Sequence, residues 1–426
     1  MMIASMGNMC WGKRHNFSFW ACKVIIITNF SLLITHSAGA QPSDSLIVKE
    51  MSEVGIQFTP NNNVKLLMSG KEKFADMFEA IRQAKSSVHL EYFNFRNDSI
   101  AGLLFELLRE KRKEGVEVRA AFDGFGNDSN NQPLKKSHLS QLHADSIDIY
   151  EFDPIRFPWV NHIWPRDHRK IVVIDGEIGY TGGMNVADYY LVGTEQVGEW
   201  RDMHCRIEGP AVNELQRIFA RFWKKLTKEE LNDPKYYNAK PAGDKTVAIA
   251  TREPNVTNKI MRQFYINALD GAKDSVKIVN PYFVPTPSVM KALKRCAERG
   301  VKMDIIMSSK YDVPLVPDVV YYNLRKLMKR GAHIWRYRPG FHHSKIMMVD
   351  GRYCTVGSTN LDARSLRFDY EINALIIDQE MTRQLEDKFI EDTKNCDYLS
   401  EEEYQKSRSS WQRFRGWLGH LLTPWL

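Results

Sequence analysis

The chain has 426 residues, of which 43% are hydrophobic and 26% are charged. That balance is typical of a folded globular protein and excludes an intrinsically disordered one, and the length predicts two domains or one duplicated domain. The formal net charge of +7 falls to +4 when the three basic residues of the first forty, Lys13, Arg14 and Lys23, are left out. A mildly basic protein of this kind suits an anionic surface without proving one.

The first forty residues have the order of a secretory signal. Basic residues without any acidic residue precede an apolar run at residues 24–34, and small residues follow at 37–40. Ala38 and Ala40 fit the small positions before a cleavage point, which predicts Gln41 as the new N-terminus and an exported protein. A retained membrane anchor is the alternative reading of residues 1–40. We favour cleavage because the apolar run has only 11 residues, whereas spanning a bilayer needs about 20.

The rest of the chain contains an internal repeat. Residues 84–88 recur at 272–276, and residues 114–118 recur at 299–303. Each half then supplies a short strand, at residues 147–152 and 333–337. The first stretch ends a helix-like segment and opens an apolar strand, and the second places a helix stop at a glycine before another strand. The order of strand, helix and strand is therefore the same in both halves.

Strands that alternate with helices predict an α/β fold. We expect a duplicated α/β sandwich of two mainly parallel sheets flanked by helices, with halves related by a pseudo-two-fold axis. Residues 231–245 have the Asn, Asp, Pro, Lys and Gly content of a surface connection. The predicted boundaries are therefore 41–240 for the first repeat, 241–410 for the second and 411–426 for a C-terminal segment.

One motif occurs in both halves, with the same onward spacing to an asparagine. Its polar positions are, in the first copy, His168, Lys170, Asp175 and Asn185 and, in the second copy, His343, Lys345, Asp350 and Asn360. The apolar run after each lysine marks a strand, and alternate side chains of a strand point to one face. Each histidine and its lysine therefore point into the same space, and each asparagine returns on the next strand.

Two imidazoles, two ammonium groups and two amides meet the needs of an anionic phosphodiester. The ammonium and amide groups supply charge and hydrogen bonds to the nonbridging oxygens, one imidazole can attack phosphorus, and the other can protonate the leaving alcohol. A single copy of the motif could be a buried strand with a structural histidine and a surface lysine. Two copies with identical spacing at matched places in two repeats are the specific signal.

Metal and nucleotide sites are not expected. The four cysteines after the leader are far apart and form no Cys-x-x-Cys pair, which argues against zinc and leaves disulfides unassigned: Cys205, Cys296, Cys354 and Cys396. Residues 69–72 lack the glycine and the hydroxyl residue of a phosphate loop. We therefore predict chemistry that needs neither ATP nor a metal ion, and no cofactor.

Further stretches join the two motifs in a resemblance to a known superfamily. They are residues 200–204, 207–210, 280–285, 357–365 and 421–426. With the motifs, they make the chain similar to the phospholipase D superfamily along nearly all of its length after the leader, and most similar within it to the bacterial cardiolipin synthases. Two features depart from that pattern. Such synthases commonly begin with two membrane helices where this chain has one short leader, and their usual asparagine two residues before the glutamate of the second half is here Asp369.

The resemblance implies a covalent mechanism. One histidine attacks phosphorus to give a phosphatidyl-histidine, while the other protonates the leaving glycerol oxygen and then deprotonates the incoming hydroxyl. Nothing in the spacing separates the two, and we assign His168 as the nucleophile and His343 as the acid and base from the habit of the family. The lysine of each copy is counted as catalytic, and the asparagine of each copy as phosphate-binding.

The resemblance also implies that each histidine is oriented by a carboxylate of the opposite half. Asp202 and Glu371 follow the two motifs by similar distances and are the candidates, because a carboxylate on the far nitrogen fixes the tautomer and steadies the positive charge. The alternative for both is an ordinary salt bridge with Arg201 or Arg364.

Other polar residues near the motifs have less direct roles. Asp175 and Asp350 are counted with the catalytic residues, although their place beyond the strand run predicts that they brace the motif rather than touch its histidine. His342 should point to the opposite strand face and serve packing. His204 could orient a loop or fill polar space.

Two apolar segments suggest contact with lipid. The aromatic residues at 157–164 could form a lipid-facing lip at the cleft or could pack in the core. At the C-terminus, apolar residues recur at helical spacing with basic residues between them: Trp411, Phe414, Trp417, Leu418, Leu421 and Leu422. That pattern indicates an amphipathic helix at a membrane interface, or a helix packed on its own domain.

The leading hypothesis is a membrane-associated phosphatidyltransferase of the cell envelope. It would hold the phosphatidyl group of one phosphatidylglycerol as the covalent intermediate and transfer that group to the hydroxyl of a second. Its expected partners are therefore phospholipid and a membrane surface, and no protein partner can be inferred. A phospholipase that uses water, or a nuclease, is the enzymatic alternative. A nuclease should carry more positive charge than this chain and no apolar tail. A scaffold with a dead fold would normally have lost some of the motif residues, which are all present here.

Overall fold

The computed structural model describes residues 42–155 and 164–421. The predicted signal at 1–40 lies outside the described residues. So do residues 157–163 of the predicted lip and the last five residues of the chain.

The first half alternates strands and helices. Its strands are β1 (Phe58–Leu67), β2 (Ser87–Tyr92), β3 (Glu117–Asp123), β4 (Asp148–Phe152), β5 (Ile171–Ile174), β6 (Ile178–Gly182), β7 (Glu199–Arg201) and β8 (His204–Glu208). Its helices are α1 (Pro42–Glu53), α2 (Gly70–Arg82), α3 (Ser99–Lys113), α4 (Gly124–Asp128), α5 (Lys136–Ala144), α6 (Tyr189–Val192) and α7 (Ala211–Thr227). The first motif therefore begins just before β5.

The second half repeats this order. Its strands are β9 (Lys245–Arg252), β10 (Ser275–Val279), β11 (Lys302–Ser308), β12 (His333–Tyr337), β13 (Gly340–His342), β14 (Ile346–Val349), β15 (Tyr353–Gly357), β16 (Glu371–Ile377) and β17 (Cys396–Tyr398). Its helices are α8 (Ile260–Gly271), α9 (Pro287–Glu298), α10 (Val316–Met328), α11 (Ala363–Arg367), α12 (Gln379–Thr393), α13 (Glu401–Ser407) and α14 (Ser410–Leu421). The second motif begins just before β14, the counterpart of β5.

Within the described ranges, fifteen strands form one continuous sheet in the order β17-β12-β11-β10-β14-β15-β16-β9-β1-β8-β6-β5-β2-β3-β4. Outward from the centre, the order β1-β8-β6-β5-β2-β3-β4 matches β9-β16-β15-β14-β10-β11-β12, with β17 added at one edge. At the centre, β1 and β9 pair antiparallel. The duplicated α/β fold with pseudo-two-fold related halves is therefore confirmed.

The predicted strand directions are wrong. We expected two mainly parallel sheets, but parallel pairs in this single sheet join only β2 to β3, β3 to β4, β10 to β11 and β11 to β12 among the described strands. The Asp-Gly pair that ends each motif accounts for one antiparallel pair in each half, β5 with β6 and β14 with β15. Asp175 and Gly176 both have positive φ, 54° and 66°, which is the turn geometry that reverses a chain into an antiparallel hairpin. Asp350 and Gly351 make the same turn.

The strands that carry the motifs lie deep in the core. All four residues of β5 and all four of β14 are buried, as expected for strands that are covered on both faces and read as continuous apolar runs. On one face, apolar residues of β5 and β14 share a cluster with Leu215 of α7 and Leu385 of α12. The motif residues before each strand are therefore anchored to a rigid support.

A second, two-stranded sheet joins the halves beside the centre. There β7 of the first half pairs in parallel with β13 of the second, so that Trp200 lies opposite Phe341 and Arg201 opposite His342. A related single bridge joins Asp167 to Tyr370. Each half thus sends a short backbone segment to the motif of the other.

The C-terminal helix α14 packs on α10. Gly416 permits the close approach, because a Cβ atom at that position would lie 2.4 Å from the backbone oxygen of Asp318. Arg415 forms an ion pair with Asp318 at 2.5 Å. None of the helices in the described part of the chain combines the length and the apolar character that crossing a bilayer requires.

Candidate functional site

Backbone hydrogen bonds between the halves bring each histidine to a carboxylate of the other half. The His168 N–H donates to the oxygen of Tyr370 at 3.0 Å, and the His343 N–H donates to the oxygen of Arg201 at 2.6 Å. The residues that follow these two acceptors are Glu371 and Asp202. The short bridges between halves therefore set the position of both acids.

In the first half-site, His168 pairs with Glu371. The Nδ1 atom of His168 lies 2.9 Å from Oε1 of Glu371, and the hydroxyl of Ser358 donates to the other carboxylate oxygen. Burial raises the pKa of Glu371 to about 7, against the opposing charge of Lys170. Burial also lowers the pKa of His168 well below its ordinary value, and the nearby lysines add to the shift. The imidazole is therefore neutral at neutral pH, with Nε2 left to react.

In the second half-site, His343 pairs with Asp202. The Nδ1 atom of His343 lies 2.6 Å from Oδ2 of Asp202, and the other carboxylate oxygen accepts the N–H of Met203 at 2.7 Å. Burial acts to raise the pKa of Asp202, but the charges of Lys345 and His343 outweigh it and leave that pKa below its ordinary value. Burial lowers the pKa of His343 to about 4, and Lys345 adds to this shift. An anion that neutralised Lys345 would raise the pKa of His343 again.

The two motif lysines are buried next to their histidines. The Nζ atom of Lys170 donates to the backbone oxygen of His168 at 2.6 Å, and that of Lys345 lies 2.8 and 2.9 Å from the two ring nitrogens of His343. Burial lowers the pKa of Lys170 to about 7 and of Lys345 to about 8. Lys345 also lowers the pKa of Lys170, so the two ammonium groups act on the same space.

The motif asparagines are buried as well. The side-chain Oδ1 atoms of Asn185 and Asn360 have no hydrogen-bond partner among the described residues, and both residues are less than a tenth exposed. Buried amides of this kind usually have partners. An amide oxygen only accepts, so the Nδ2 group of each asparagine is the one that can donate to a nonbridging oxygen of a phosphate.

Asp175 and Asp350 do not belong with these groups, and counting them as catalytic is corrected by their contacts. The carboxylate of Asp175 accepts the backbone N–H groups of residues 85–87 at 2.7 to 2.9 Å. That of Asp350 accepts those of residues 273–275 at 2.8 to 2.9 Å. Each aspartate lies past the far end of its strand from the histidine, where it braces the hairpin turn.

The salt bridges considered as alternatives for the orienting acids are made elsewhere. Arg201 pairs with Asp392 at 2.9 Å, and His342 lies 3.1 Å from the same carboxylate. Arg364 pairs with Asp369 at 2.6 Å. His342 therefore serves a buried ion cluster rather than the chemistry.

His204 lies behind the first half-site. Its Nδ1 atom is 3.3 Å from the backbone nitrogen of Met184, in the loop that leads to Asn185. Burial holds the pKa of His204 well below its ordinary value, with smaller contributions from Lys73 and Lys170. A neutral His204 therefore orients this loop.

Sequence reasoning missed several residues that shape the site. Ser358 holds Glu371 in place, and aromatic rings pack around His343 from three segments: Trp200 at 5.3 Å, Phe341 at 5.3 Å and Tyr282 at 6.2 Å. A serine directly after Gly357 in the second motif was a visible signal. The rings come from distant segments, and no spacing predicts their meeting.

In residues 42–155 and 164–421, no group of three or more His, Cys, Asp or Glu side chains has the arrangement of a metal site. The positive charge at the site comes from Lys170 and Lys345.

Comparisons with known proteins agree with this geometry. A family described as "Cardiolipin synthase, PLD-like domain" matches residues 77–223 and 265–393, one match in each half. The chain is 35% identical over 371 residues to cardiolipin synthase 2 of Staphylococcus epidermidis, which covers 86% of this chain and 75% of that protein. It is 35% identical over 368 residues to a cardiolipin synthase of Oceanobacillus iheyensis, which covers 86% and 76%.

A solved structure gives the same fold. The chain superimposes on phosphatidylserine synthase from Haemophilus influenzae with a TM-score of 0.70, covering 89% of this chain and 100% of that one, at 16% identity. At this low identity, the similarity establishes the fold alone.

Proposed function

The chain belongs to the cardiolipin synthase family of phospholipase D-like proteins, and from this premise we propose that it transfers a phosphatidyl group between two phosphatidylglycerol molecules. It is a phosphatidyltransferase, and its substrate is a phospholipid. In the proposed reaction, one phosphatidylglycerol becomes attached to a histidine, its glycerol leaves, and the second molecule accepts the phosphatidyl group to give cardiolipin.

One observation carries this proposal. Each imidazole has its Nδ1 atom beside a buried carboxylate of the opposite half, at 2.9 Å for His168 and 2.6 Å for His343. This leaves Nε2 of His168 for chemistry, whereas Nε2 of His343 faces the ammonium group of Lys345 at 2.9 Å, and we propose that both rings act on one phosphorus. A covalent transfer needs this pair, because one group must attack while another moves the proton.

The first proposed step forms the covalent intermediate. The Nε2 atom of His168 attacks phosphorus, an N–P bond forms, and the bond from phosphorus to the glycerol oxygen breaks. His343, protonated while bound phosphate offsets the charge of Lys345, gives its proton to that oxygen, so glycerol leaves as a neutral alcohol. Asp202 stabilises the imidazolium before transfer, and Glu371 stabilises the positive charge that develops on His168.

The second proposed step breaks the covalent intermediate and returns a proton to His343. The primary hydroxyl of a second phosphatidylglycerol attacks phosphorus, its proton passes to Nε2 of His343, and the N–P bond to His168 breaks. One phosphodiester has replaced another, so no external energy source is required. Water in place of the second lipid would give phosphatidic acid instead.

Product analysis tests this proposal. The purified full chain is incubated with phosphatidylglycerol vesicles in the presence of a chelator, and lipids and free glycerol are measured by mass spectrometry. We expect cardiolipin and glycerol in equal amounts, without added metal or nucleotide, because the two lysines meet the charge of the phosphate. Phosphatidic acid as the sole product would indicate a hydrolase, and a strict need for a divalent ion would contradict the proposed chemistry.

We also propose that α14 holds the protein at a membrane surface. One face of the helix packs on α10, and the other exposes a stripe of large apolar side chains: Trp411, Phe414, Trp417, Leu418 and Leu421. Stripes of this kind bind at the boundary between head groups and acyl chains. A phospholipid substrate makes the bilayer the expected occupant. The predicted export would place this surface in the cell envelope.

A paired assay tests the role of the stripe. Deleting residues 411–426 should weaken vesicle binding and turnover on vesicles but leave cleavage of a short-chain soluble diester. Replacing Trp411 and Trp417 by serine should do the same with less disturbance of α10. Serine at Leu103 and Ile390, which are equally exposed on other helices, is the matched control. Unchanged vesicle binding by the serine variant would contradict the proposal, and equal loss on both substrates would assign the helix to the fold.

A further inference from the structure

A large polar pocket lies beside the two half-sites and contains none of the motif residues. Its volume is about 690 Å³, within the range of about 300 to 1,000 Å³ that is usual for small-molecule sites. The walls come from the segment after β2, the loop at 129–132 and the loop between α6 and β7, and the polar residues of the lining include Asn94, Arg96, Asn131, Gln132, Thr194 and Gln196.

Residues in or next to the pocket wall contact both histidine rings, although neither histidine lines the pocket. Trp200 lines it, and the ring of Trp200 lies 5.3 Å from the ring of His343. On the other side, Asn94 lines the pocket and follows Phe93, whose ring lies 5.2 Å from that of His168. A molecule in this pocket is therefore separated from the ring of His343 by the side chain of Trp200.

Three lining residues carry buried polar atoms that no described residue satisfies. They are Oδ1 of Asn94, Nε1 of Trp200 and Nε of Arg96, which lacks a hydrogen bond but lies 3.8 Å from Oδ2 of Asp98 in an ion pair. Asn94 is only 7% exposed, so the protein has buried an acceptor without giving it a donor. Buried polar atoms normally find partners, and a ligand with several hydroxyl groups could both donate to Asn94 and accept from the other two.

Two of the three acids in the walls, Asp98 and Asp188, are already engaged, and the third, Glu195, is exposed. Asp98 accepts the N–H groups of Ala101 at 3.4 Å and Asp188 at 2.8 Å. Asp188 in turn accepts that of Ile100 at 2.7 Å. Because Asp98 and Asp188 hold the start of α3, the groups left for a ligand are amides, hydroxyls, one indole N–H, one guanidinium and the exposed carboxylate of Glu195. That set suits a neutral polyol better than an acyl chain.

We propose that this pocket binds the polyol head group of the acceptor. Asn94, Arg96 and Trp200 recognise hydroxyl groups that do not react and so direct a primary hydroxyl to the phosphatidyl-histidine. In that step the new O–P bond forms, the N–P bond to His168 breaks, and the hydroxyl proton passes to His343. The inference rests on the proposed transferase function and adds the group that selects an alcohol over water.

Alcohol competition tests the pocket directly. Transfer from phosphatidylglycerol is measured to labelled glycerol and to 1-propanol, which has the same carbon skeleton without the two further hydroxyls. We expect kcat/KM of the protein to be at least about tenfold higher for glycerol, because a site built for hydroxyls penalises the analogue that lacks them. Asn94→Leu and Arg96→Met should each remove most of that preference and leave transfer to 1-propanol within about twofold.

Matched variants separate recognition from stability. Asn232→Leu and Arg217→Met make the same changes at exposed positions and should keep the preference for glycerol. Asn131→Trp, which enlarges an exposed residue in the pocket wall, should also lower transfer to glycerol. An unchanged preference in the Asn94 and Arg96 variants overturns the proposal, and so does an equal loss on both alcohols.

A binding measurement covers the case in which the protein transfers to no alcohol, which would refute the proposed function itself. Saturation-transfer NMR with glycerophosphoglycerol reports contact with the full chain without turnover. A signal that is lost in the Asn94→Leu Arg96→Met double variant, and kept in the Asn232→Leu Arg217→Met control, supports the pocket. A signal that is equal in both overturns it.

Discussion

The two half-sites use the same residue types but surround their histidines differently. The side chain of His168 is 16% exposed and that of His343 is 9% exposed. Among the described residues, one ring, Phe93, packs on His168, whereas three rings pack around His343. The more open imidazole has the access that an attack on phosphorus requires. The enclosed one is protected from water, which favours controlled proton transfer.

The orienting acids also differ between the half-sites. Burial raises the pKa of Glu371 to about 7, whereas that of Asp202 stays below its ordinary value because Lys345 and His343 outweigh burial. At neutral pH, Asp202 is ionised and can support an imidazolium at His343, while Glu371 titrates. A site with symmetric motif spacing can therefore divide the two catalytic tasks between its histidines through the residues that surround them.

Removing either histidine should have the largest effect. His168→Ala and His343→Ala should each lower the transfer rate by about 10⁴-fold or more, because attack and proton transfer are separate tasks that one imidazole cannot share. The measurement is cardiolipin formation on phosphatidylglycerol vesicles, with thermal unfolding to check the fold. His333→Ala, at an exposed histidine, is the control. Near-normal transfer by either active-site variant would refute a shared site.

The orienting acids should separate the half-sites by a smaller effect. Asp202→Asn should lower kcat by about 10³-fold, because it removes the charge that supports the imidazolium and favours the wrong tautomer. Glu371→Gln should cost about 10²-fold, since this acid is only partly ionised at neutral pH. The two kcat values are compared on the same vesicles at pH 7. Equal losses would mean that the surroundings do not divide the roles.

The pH dependence of kcat/KM should also distinguish the two half-sites. Above neutral pH, kcat/KM should fall as Lys170 and Lys345 lose their protons through pKa values of about 7 and about 8, because the phosphate loses its positive partners. Below neutral pH, kcat/KM should fall as Glu371, with a pKa of about 7, gains a proton. The acidic limb should approach about a tenfold change per pH unit, and the basic limb, on which two lysines titrate, about a hundredfold.

Variants assign the acidic limb to one half-site. Glu371→Gln should abolish the fall below neutral pH, whereas Asp202→Asn should keep it, because the pKa of Asp202 already lies below its ordinary value. A profile of kcat/KM from pH 5 to pH 9 for each variant decides the matter. An acidic limb that survives Glu371→Gln would contradict the assignment.

The smallest expected effect concerns the hydroxyl that supports Glu371. Ser358→Ala should lower kcat by about fivefold, the value of one hydrogen bond of about 1 kcal/mol. Because that bond favours the ionised carboxylate, its loss should also move the acidic limb to higher pH. Ser288→Ala, at an exposed serine of α9, is the control. An unmoved limb would mean that Ser358 does not tune Glu371.

The duplicated fold and the positions of the motif histidines could be predicted because they depend on local patterns that occur twice. Strand direction could not be predicted in the same way, since the Asp-Gly pair of each motif is also a turn signal, and the motif pattern alone does not reveal that second role. Asp175 illustrates both points, because its backbone reverses the chain while its carboxylate braces the start of β2. One residue can satisfy a motif for structural reasons.

The surroundings of the site depend on contacts that no local pattern contains. Trp200 and Tyr282 reach His343 from different halves, and their meeting follows from the sheet order rather than from spacing. The helix α14 was expected to be amphipathic from its spacing. Which face packs is decided by Asp318 and the neighbouring turn of α10. Tertiary contacts therefore decide what distinguishes two otherwise equivalent half-sites.

The central claim is that His168 carries the phosphatidyl group, and peptide mapping of the trapped intermediate tests it most directly. The His343→Ala variant is mixed with phosphatidylglycerol, quenched at alkaline pH to preserve the N–P bond, digested and mapped by mass spectrometry. We predict a phosphatidyl group on the peptide that contains His168, and none in the His168→Ala variant. A phosphatidyl group on the peptide that contains His343, in the wild type or in His168→Ala, would contradict the assignment and reverse the two roles.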